Sequence, residues 1–348
     1  MRWLRAFGRE RGSERERAVD FEAEIERFAL REENRERFAT LLNRILPDYT
    51  RWTWGRDDVF RRHFNEWQRN GFSLLPNHYY SPVPDVHGLG DALGRRTSLP
   101  GVDLRTEAQL ELLRKVCPLY AGEYAAFPDG PTGVPGQFHF ANGAFERVDA
   151  EMLHLMVRHH RPARMIEVGS GYSTLVSAAA CERNARDGHP CRFVAIEPQP
   201  NDLFLRPIAG LQELLRATLQ EVGTAPFEEL GEGDILFIDS SHVLKTGSDV
   251  QLLYLEVLPR LRPGVVVHVH DVFLPGEYPA DWIRNEHVFW NEQYLLQAFL
   301  AFNSAFEVLL AASFLHLEHP DVLVEVFPGY SPRKHRPGSF WMQRRPHG

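Results

Sequence analysis

The second half of the chain alternates short apolar runs with stretches of helical periodicity. Met165, Ile166 and Val168 form an apolar run closed by turn residues, which predicts a buried parallel strand. Similar runs predict strands at 192–198, 217–222, 234–239, 265–271, 306–312 and 339–343. Between them lie helical stretches. Val148, Met152, Leu155 and Met156 mark one over 147–160, and others are predicted near 175–181, 247–261 and 291–303. Strands alternating with helices predict an α/β fold with a doubly wound, mostly parallel seven-stranded sheet, whose ligands sit at the carboxyl ends of the strands.

The first 145 residues read differently. Residues 9–37 are dense in Glu and Arg, with Phe21, Ile25, Phe28, Phe38, Leu41 and Ile45 at helical spacing. That predicts a long amphipathic helix or a helix pair ended by Pro47, its apolar stripe docked on the protein or on a partner such as a second copy in a homodimer. Trp52, Trp54, Phe60, Phe64 and Trp67 form an aromatic cluster, read as core. Residues 77–85 (NHYYSPVPD) cannot be regular helix, because two prolines interrupt them. They read as a packed loop, or one that covers a pocket. The division expected is a helical and irregular extension over 1–145, covering an acceptor pocket, and a core over 146–348.

Composition narrows the function classes. A net charge of −8 argues against a nucleic-acid surface. The three cysteines, Cys117, Cys181 and Cys191, have no C-x-x-C spacing, so neither a disulfide framework nor a cysteine zinc site is expected. No run reaches membrane-span length and residues 1–10 lack a signal-peptide apolar segment, so the expected location is cytoplasmic, away from membranes.

The candidate chemistry starts at the end of the first predicted core strand. Gly169 and Gly171 flank Ser170, and Ser173 or Thr174 is placed to cap the next helix. The dinucleotide fingerprint needs a third glycine at position 174, where this chain has Thr174. The form present is E-x-G-x-G, led by Glu167. Glu197, 28 residues past Gly169, ends the next strand and suits the two hydroxyls of a ribose. The later strands end in Asp239-Ser240-Ser241-His242 and in His268-Val269-His270-Asp271.

This order of motifs resembles the class I S-adenosylmethionine-dependent methyltransferases over residues 148–343. Residues 77–85 and 140–143 also resemble bacterial members with such an extension, found among secondary-metabolite and glycan genes. The resemblance implies that Gly169, Ser170 and Gly171 cradle the methionine part of S-adenosylmethionine, with Glu167, Ser173 and Ser240 nearby. It implies that Glu197 holds the ribose, that Asp239 lies near the amino group or a metal, and that residues near Gln220 and Glu221 flank adenine.

Methyl transfer to a hydroxyl needs positioning and somewhere for a proton to go. His242, His270 and Asp271 are the catalytic candidates. Asp239 and Asp271 fall where catechol-type relatives place metal-binding aspartates, but the asparagine that follows in that family is Val272 here. A divalent metal on Asp239, His242, His270 and Asp271 and a metal-free histidine base therefore both stay open. The expected activity is O-methylation of a small molecule, sugar or natural product. The alternatives are an oxygenase-like relative of the same fold and a non-catalytic cofactor-binding module.

Overall fold

The computed structural model describes residues 23–49 and 59–345, with the side chains of 47–49 and 59–62 excluded. Phe21, Trp52, Trp54 and the Phe60 side chain lie outside the described residues. The chain divides into two compact units, Met1–Asp85 and Val86–Gly348.

In the first unit, helical residues 23–29 are followed by a turn and then α1 (Arg35–Tyr49) and α2 (Val59–Arg69). The Glu/Arg-rich stretch thus forms helices separated by a break. Pro47 does not end α1, which runs on to Tyr49: a proline in the last turn disturbs fewer hydrogen bonds than one in mid-helix. Ile25, Phe28, Leu41 and Ile45 are exposed, so their stripe is not packed away. Trp67 stacks between His63 and Phe72. Residues 77–85 are irregular, as the prolines require, and Tyr79 is 94% exposed with its ring edge-on to Tyr80.

The second unit begins well before the predicted core. Its first long helix, α3 (Thr106–Tyr124), was not legible because Pro118 interrupts it. The stripe Leu110, Leu113, Val116, Cys117, Tyr120 and Tyr124 is nevertheless buried. Residues 86–145 thereby share the compact unit of the sheet. There follow α4 (Asp149–His160), β1 (Arg164–Val168), α5 (Tyr172–Arg186), β2 (Arg192–Ile196), β3 (Glu213–Leu215) and β4 (Ile235–Ile238). Next come α6, one irregular helix over 249–260, then β5 (Val266–Val269), α7 (Glu292–Leu300), β6 (Phe306–Ala311) and β7 (Phe340–Arg344).

The sheet order is β3-β2-β1-β4-β5-β7-β6, with β7 antiparallel to both neighbours. One predicted strand is displaced. Residues 217–222 are not a strand, because Thr218 and Glu221 cap each other's backbone and start a short helix at Leu219. The strand is Glu213–Leu215, so Gln220 and Glu221 belong to that helix and not to a strand end.

Alternation along the strands feeds two cores. Met165, Phe193, Ile235, Phe237 and Val266 share one cluster with α4 and α5, while Ile166, Val168, Leu236, Ile238 and Val267 share the other with α6 and α7. Both faces are covered, which is why the strands read as unbroken apolar runs. Among the described residues, no helix is long and apolar enough to cross a membrane.

Candidate active site

Strand register brings the site together. Val168 pairs with Ile196 on one side and Ile238 on the other, and Ile238 pairs with Val269. The residues that follow these four, Gly169, Glu197, Asp239 and His270, therefore leave the sheet side by side at its carboxyl edge.

Gly169 is required by the space and by its backbone angle. Its φ is +90°, and a Cβ built on it would lie 1.8 Å from the Asp239 carbonyl oxygen. Ser173 and Thr174 lie inside α5, whose N-cap is Gly171, and so do not cap it as predicted. Thr174 instead accepts from the Gly171 amide at 3.0 Å, and Ser173 donates its hydroxyl to Glu167 at 2.5 Å. Glu197 accepts from the amides of Ser170 (3.2 Å) and Gln199 (2.8 Å).

Around this turn several buried polar atoms have no partner: Glu167 Oε2, Ser170 Oγ and Ser240 Oγ. Burial pushes the Glu167 carboxyl up to about 8, with Ser173 and Thr174 opposing it. Unmet hydrogen-bonding groups around a glycine turn fit a polar ligand. Beside the turn, a cleft of about 970 Å³ is lined by Pro135, Gly136, Tyr172, Asn201, Asp202 and Arg206 among others.

The second part of the site is a set of acids and histidines. The His242 Nε2 is 3.1 Å from Asp239 Oδ1 and 3.8 Å from Asp271 Oδ2, while its Nδ1 is 2.9 Å from Glu292 Oε2. Burial opposes charge on this imidazole, but the hydrogen bonds it donates to Asp239 and Glu292 raise its pKa well above the usual value. Burial would likewise raise Asp239. The positive field of His270 and the His242 hydrogen bond outweigh it and hold that carboxyl below its ordinary range. His242 and Asp271 have φ of +57° and +54°, left-handed conformations that side chains seldom adopt.

His270 sits deeper. Its ring lies 4.8 Å from Phe145 and 5.5 Å from His268, and its Nε2 is 3.8 Å from Asp271 Oδ1. Burial opposes its charge, but Asp271, Asp239 and Asp149 raise its pKa. His268 lies below it, stacked on Phe237 at 4.1 Å, its pKa driven down by burial and by His270. Asp239, His242 and Asp271 can bring one donor atom each to within 4.8 Å of one another; His270 falls outside that group.

Two buried acids had escaped the sequence reading. Glu292 opens α7 and binds His242 from behind. Asp149 opens α4 and accepts the Gly338 and Ser339 amides. Neither follows a core strand, so nothing in the motif pattern pointed to them.

Residues 166–272 match the family described as a methyltransferase domain. An uncharacterized protein of Archaeoglobus fulgidus is 31% identical over 172 residues, 46% of this chain and 75% of that one. An O-methyltransferase from Bacillus cereus, solved in complex with SAH, is 15% identical and matches 75% of this chain and 96% of its own, with a TM-score of 0.30. The methyltransferase-domain match runs from β1 through the glycine turn to Val272, one residue past Asp271, and so spans both halves of the site. With these motifs set along a seven-stranded sheet, the chain carries a methyltransferase domain.

Proposed function

We propose that this enzyme methylates a hydroxyl group of a small molecule. The observation that carries the reading is the His242 imidazole held beside Asp239 and Asp271 at the strand tips, level with the glycine turn. Transfer from a sulfonium is an in-line displacement: the acceptor oxygen bonds the methyl carbon as the carbon–sulfur bond breaks. The acceptor proton must leave. With His242 held charged, the Asp271 carboxylate beside it is the group positioned to take it.

In this reading Glu197 receives the ribose hydroxyls, and the Gly169–Gly171 turn approaches the methionine part. Glu167, Ser170, Ser173, Asp239 and Ser240 line that end, and the unpartnered Glu167 Oε2, Ser170 Oγ and Ser240 Oγ support it. The acceptor wall is aromatic: Trp290 lies 4.3 Å from the His242 ring, and Trp282 and Tyr278 pack on Trp290. Such a wall suits a planar or sugar-like acceptor. Phe145, against His270, comes from the segment before α4 and supports a role for residues 86–145 in shaping that pocket.

A divalent metal is a second reading, favoured by the convergence of Asp239, His242 and Asp271. One nitrogen and two oxygen donors fit a transition metal better than magnesium, and a bound ion would supply Lewis acidity to the acceptor hydroxyl. The test is transfer of labelled methyl groups from S-adenosylmethionine to a panel of phenols, sugars and amines, with and without chelator. O-methylated product supports the proposal, and chelator sensitivity selects the metal. Products methylated only on nitrogen would overturn it.

A further inference from the structure

We propose that a second pocket, apart from the glycine turn and built from residues 93–96, 273–281, 313–317 and 336–337, binds a phosphate or carboxylate group. This goes beyond the proposed function and does not depend on it.

The pocket has a volume of about 360 Å³, which is more than a bare anion fills and leaves room for an organic one. Hydrogen bonds tie its walls together. The Thr97 amide donates to the Pro275 carbonyl at 2.8 Å, and the Ser313 hydroxyl donates to the Phe273 carbonyl at 3.0 Å. The cavity is therefore preformed.

Three guanidinium groups line it, those of Arg95, Arg96 and Arg336. Its two acids are engaged: Glu277 accepts the Tyr294 hydroxyl at 2.5 Å, and Asp281 accepts from Arg336 at 2.8 Å. Arg96 pairs with Glu318 at 2.9 Å. Each of these arginine contacts uses one nitrogen of a five-donor group, so most donors stay open. The Arg95 guanidinium has no ion pair among the described residues.

His316, half-buried in the same wall, shows that the charges converge. Burial lowers its pKa, and the positive fields of Arg336 and Arg96, with His335, lower it further. Arginines gathered round one concavity repel one another unless an anion lies between them. Their forked donors match the oxygens of phosphate and carboxylate. In a chain of net charge −8, such a basic set is a local exception.

The pocket borders the reacting end. Pro337 lines it, and a Cβ on the next residue, Gly338, would lie 3.0 Å from the Asp271 Cα. Tyr278 lines it too and packs on Trp290. The group bound there has two sources open to it, the acceptor itself or a separate organic anion.

The experiment is calorimetric titration of the full chain with inorganic phosphate and with benzoate. In parallel, NMR follows the His316 imidazole, assigned by loss of its signal in His316→Asn. The expected result is saturable binding, weakened about tenfold in Arg95→Ala and in Arg336→Ala. The His316 pKa should rise on saturation, because the bound charge offsets the arginines. Arg95 holds no ion pair, so its variant decides even if Arg336→Ala fails to fold. No saturable binding of either anion, affinity unchanged in Arg95→Ala, or a His316 pKa that does not move would each overturn the proposal. Turnover then separates the sources. A preference for 4-hydroxybenzoate over phenol, or for glucose 6-phosphate over glucose, that is lost in Arg95→Ala supports a group carried by the acceptor. Saturable binding without such a preference supports a separate anion. Absence of any hydroxyl methylation bears on the proposed function alone and leaves the anion pocket standing.

Discussion

Gly169 and Asp239 meet backbone to backbone: a methyl group on the first would lie 1.8 Å from the carbonyl oxygen of the second. Beside that contact the Asp239 amide donates to Val168 at 2.9 Å, so the β1 turn and the β4 tip are locked as one surface. The glycine that opens the cofactor turn also sets where the acidic end of β4 stands.

Gly169→Ala should therefore damage both halves of the site. The clash with a fixed backbone oxygen and the strain of φ +90° should together cost upwards of about 3 kcal/mol. Urea unfolding gives the stability loss, and calorimetry should show cofactor binding weakened at the same time. A variant of wild-type stability would mean that the turn is not held against β4.

Glu197→Ala should weaken S-adenosylmethionine binding by about 1–3 kcal/mol, the scale of lost hydrogen bonds to a charged group. In the free protein this carboxylate already holds the Ser170 and Gln199 amides, so a small drop in melting temperature should accompany the loss. Unchanged affinity in a folded variant would remove Glu197 from the ribose site.

Glu167 should make stability fall as pH rises. Burial lifts its folded pKa to about 8 from an unfolded value near 4.5. Its favourable contribution is thus complete below 4.5 and is lost progressively as pH climbs through 8. Glu167→Gln, which stays neutral, should flatten the pH–stability curve across that window. Parallel slopes for variant and wild type would show that Glu167 does not carry this proton.

Glu123 should act in the opposite direction. Burial opposes its charge, but hydrogen bonds from His154 and Arg158 hold it at about 2. Arg158 also reaches Asp187 at 2.7 Å, joining α3, α4 and the end of α5. The stabilisation is present above the unfolded pKa near 4.5 and is lost as pH falls through 2. Glu123→Gln should cost about 1–3 kcal/mol at pH 7, with the gap to wild type closing in acid. Chemical denaturation at pH 7, pH 3 and pH 2 follows the loss.

The centre of the sheet was legible because β1, β2 and β4 leave apolar runs ending in a glycine or an acid, as at Val168-Gly169 and Ile238-Asp239. The short β3 was misplaced because its three residues carry less pattern than the capping pair Thr218 and Glu221 that follow. Half of the site could be read from strand ends. The rest could not: Glu292 reaches His242 across 50 residues, and Asp149 meets Gly338 across 189. Such contacts are made by tertiary packing. The left-handed backbone at His242 and Asp271 likewise leaves no mark in residue type, since neither is glycine.

The most direct test is calorimetric binding of S-adenosylmethionine and S-adenosylhomocysteine, beside NAD and ATP, on metal-analysed protein. Micromolar binding of the first two alone is the predicted result. Failure of both to bind, or equal binding of NAD, would contradict the assignment of the glycine turn and Glu197 to this cofactor.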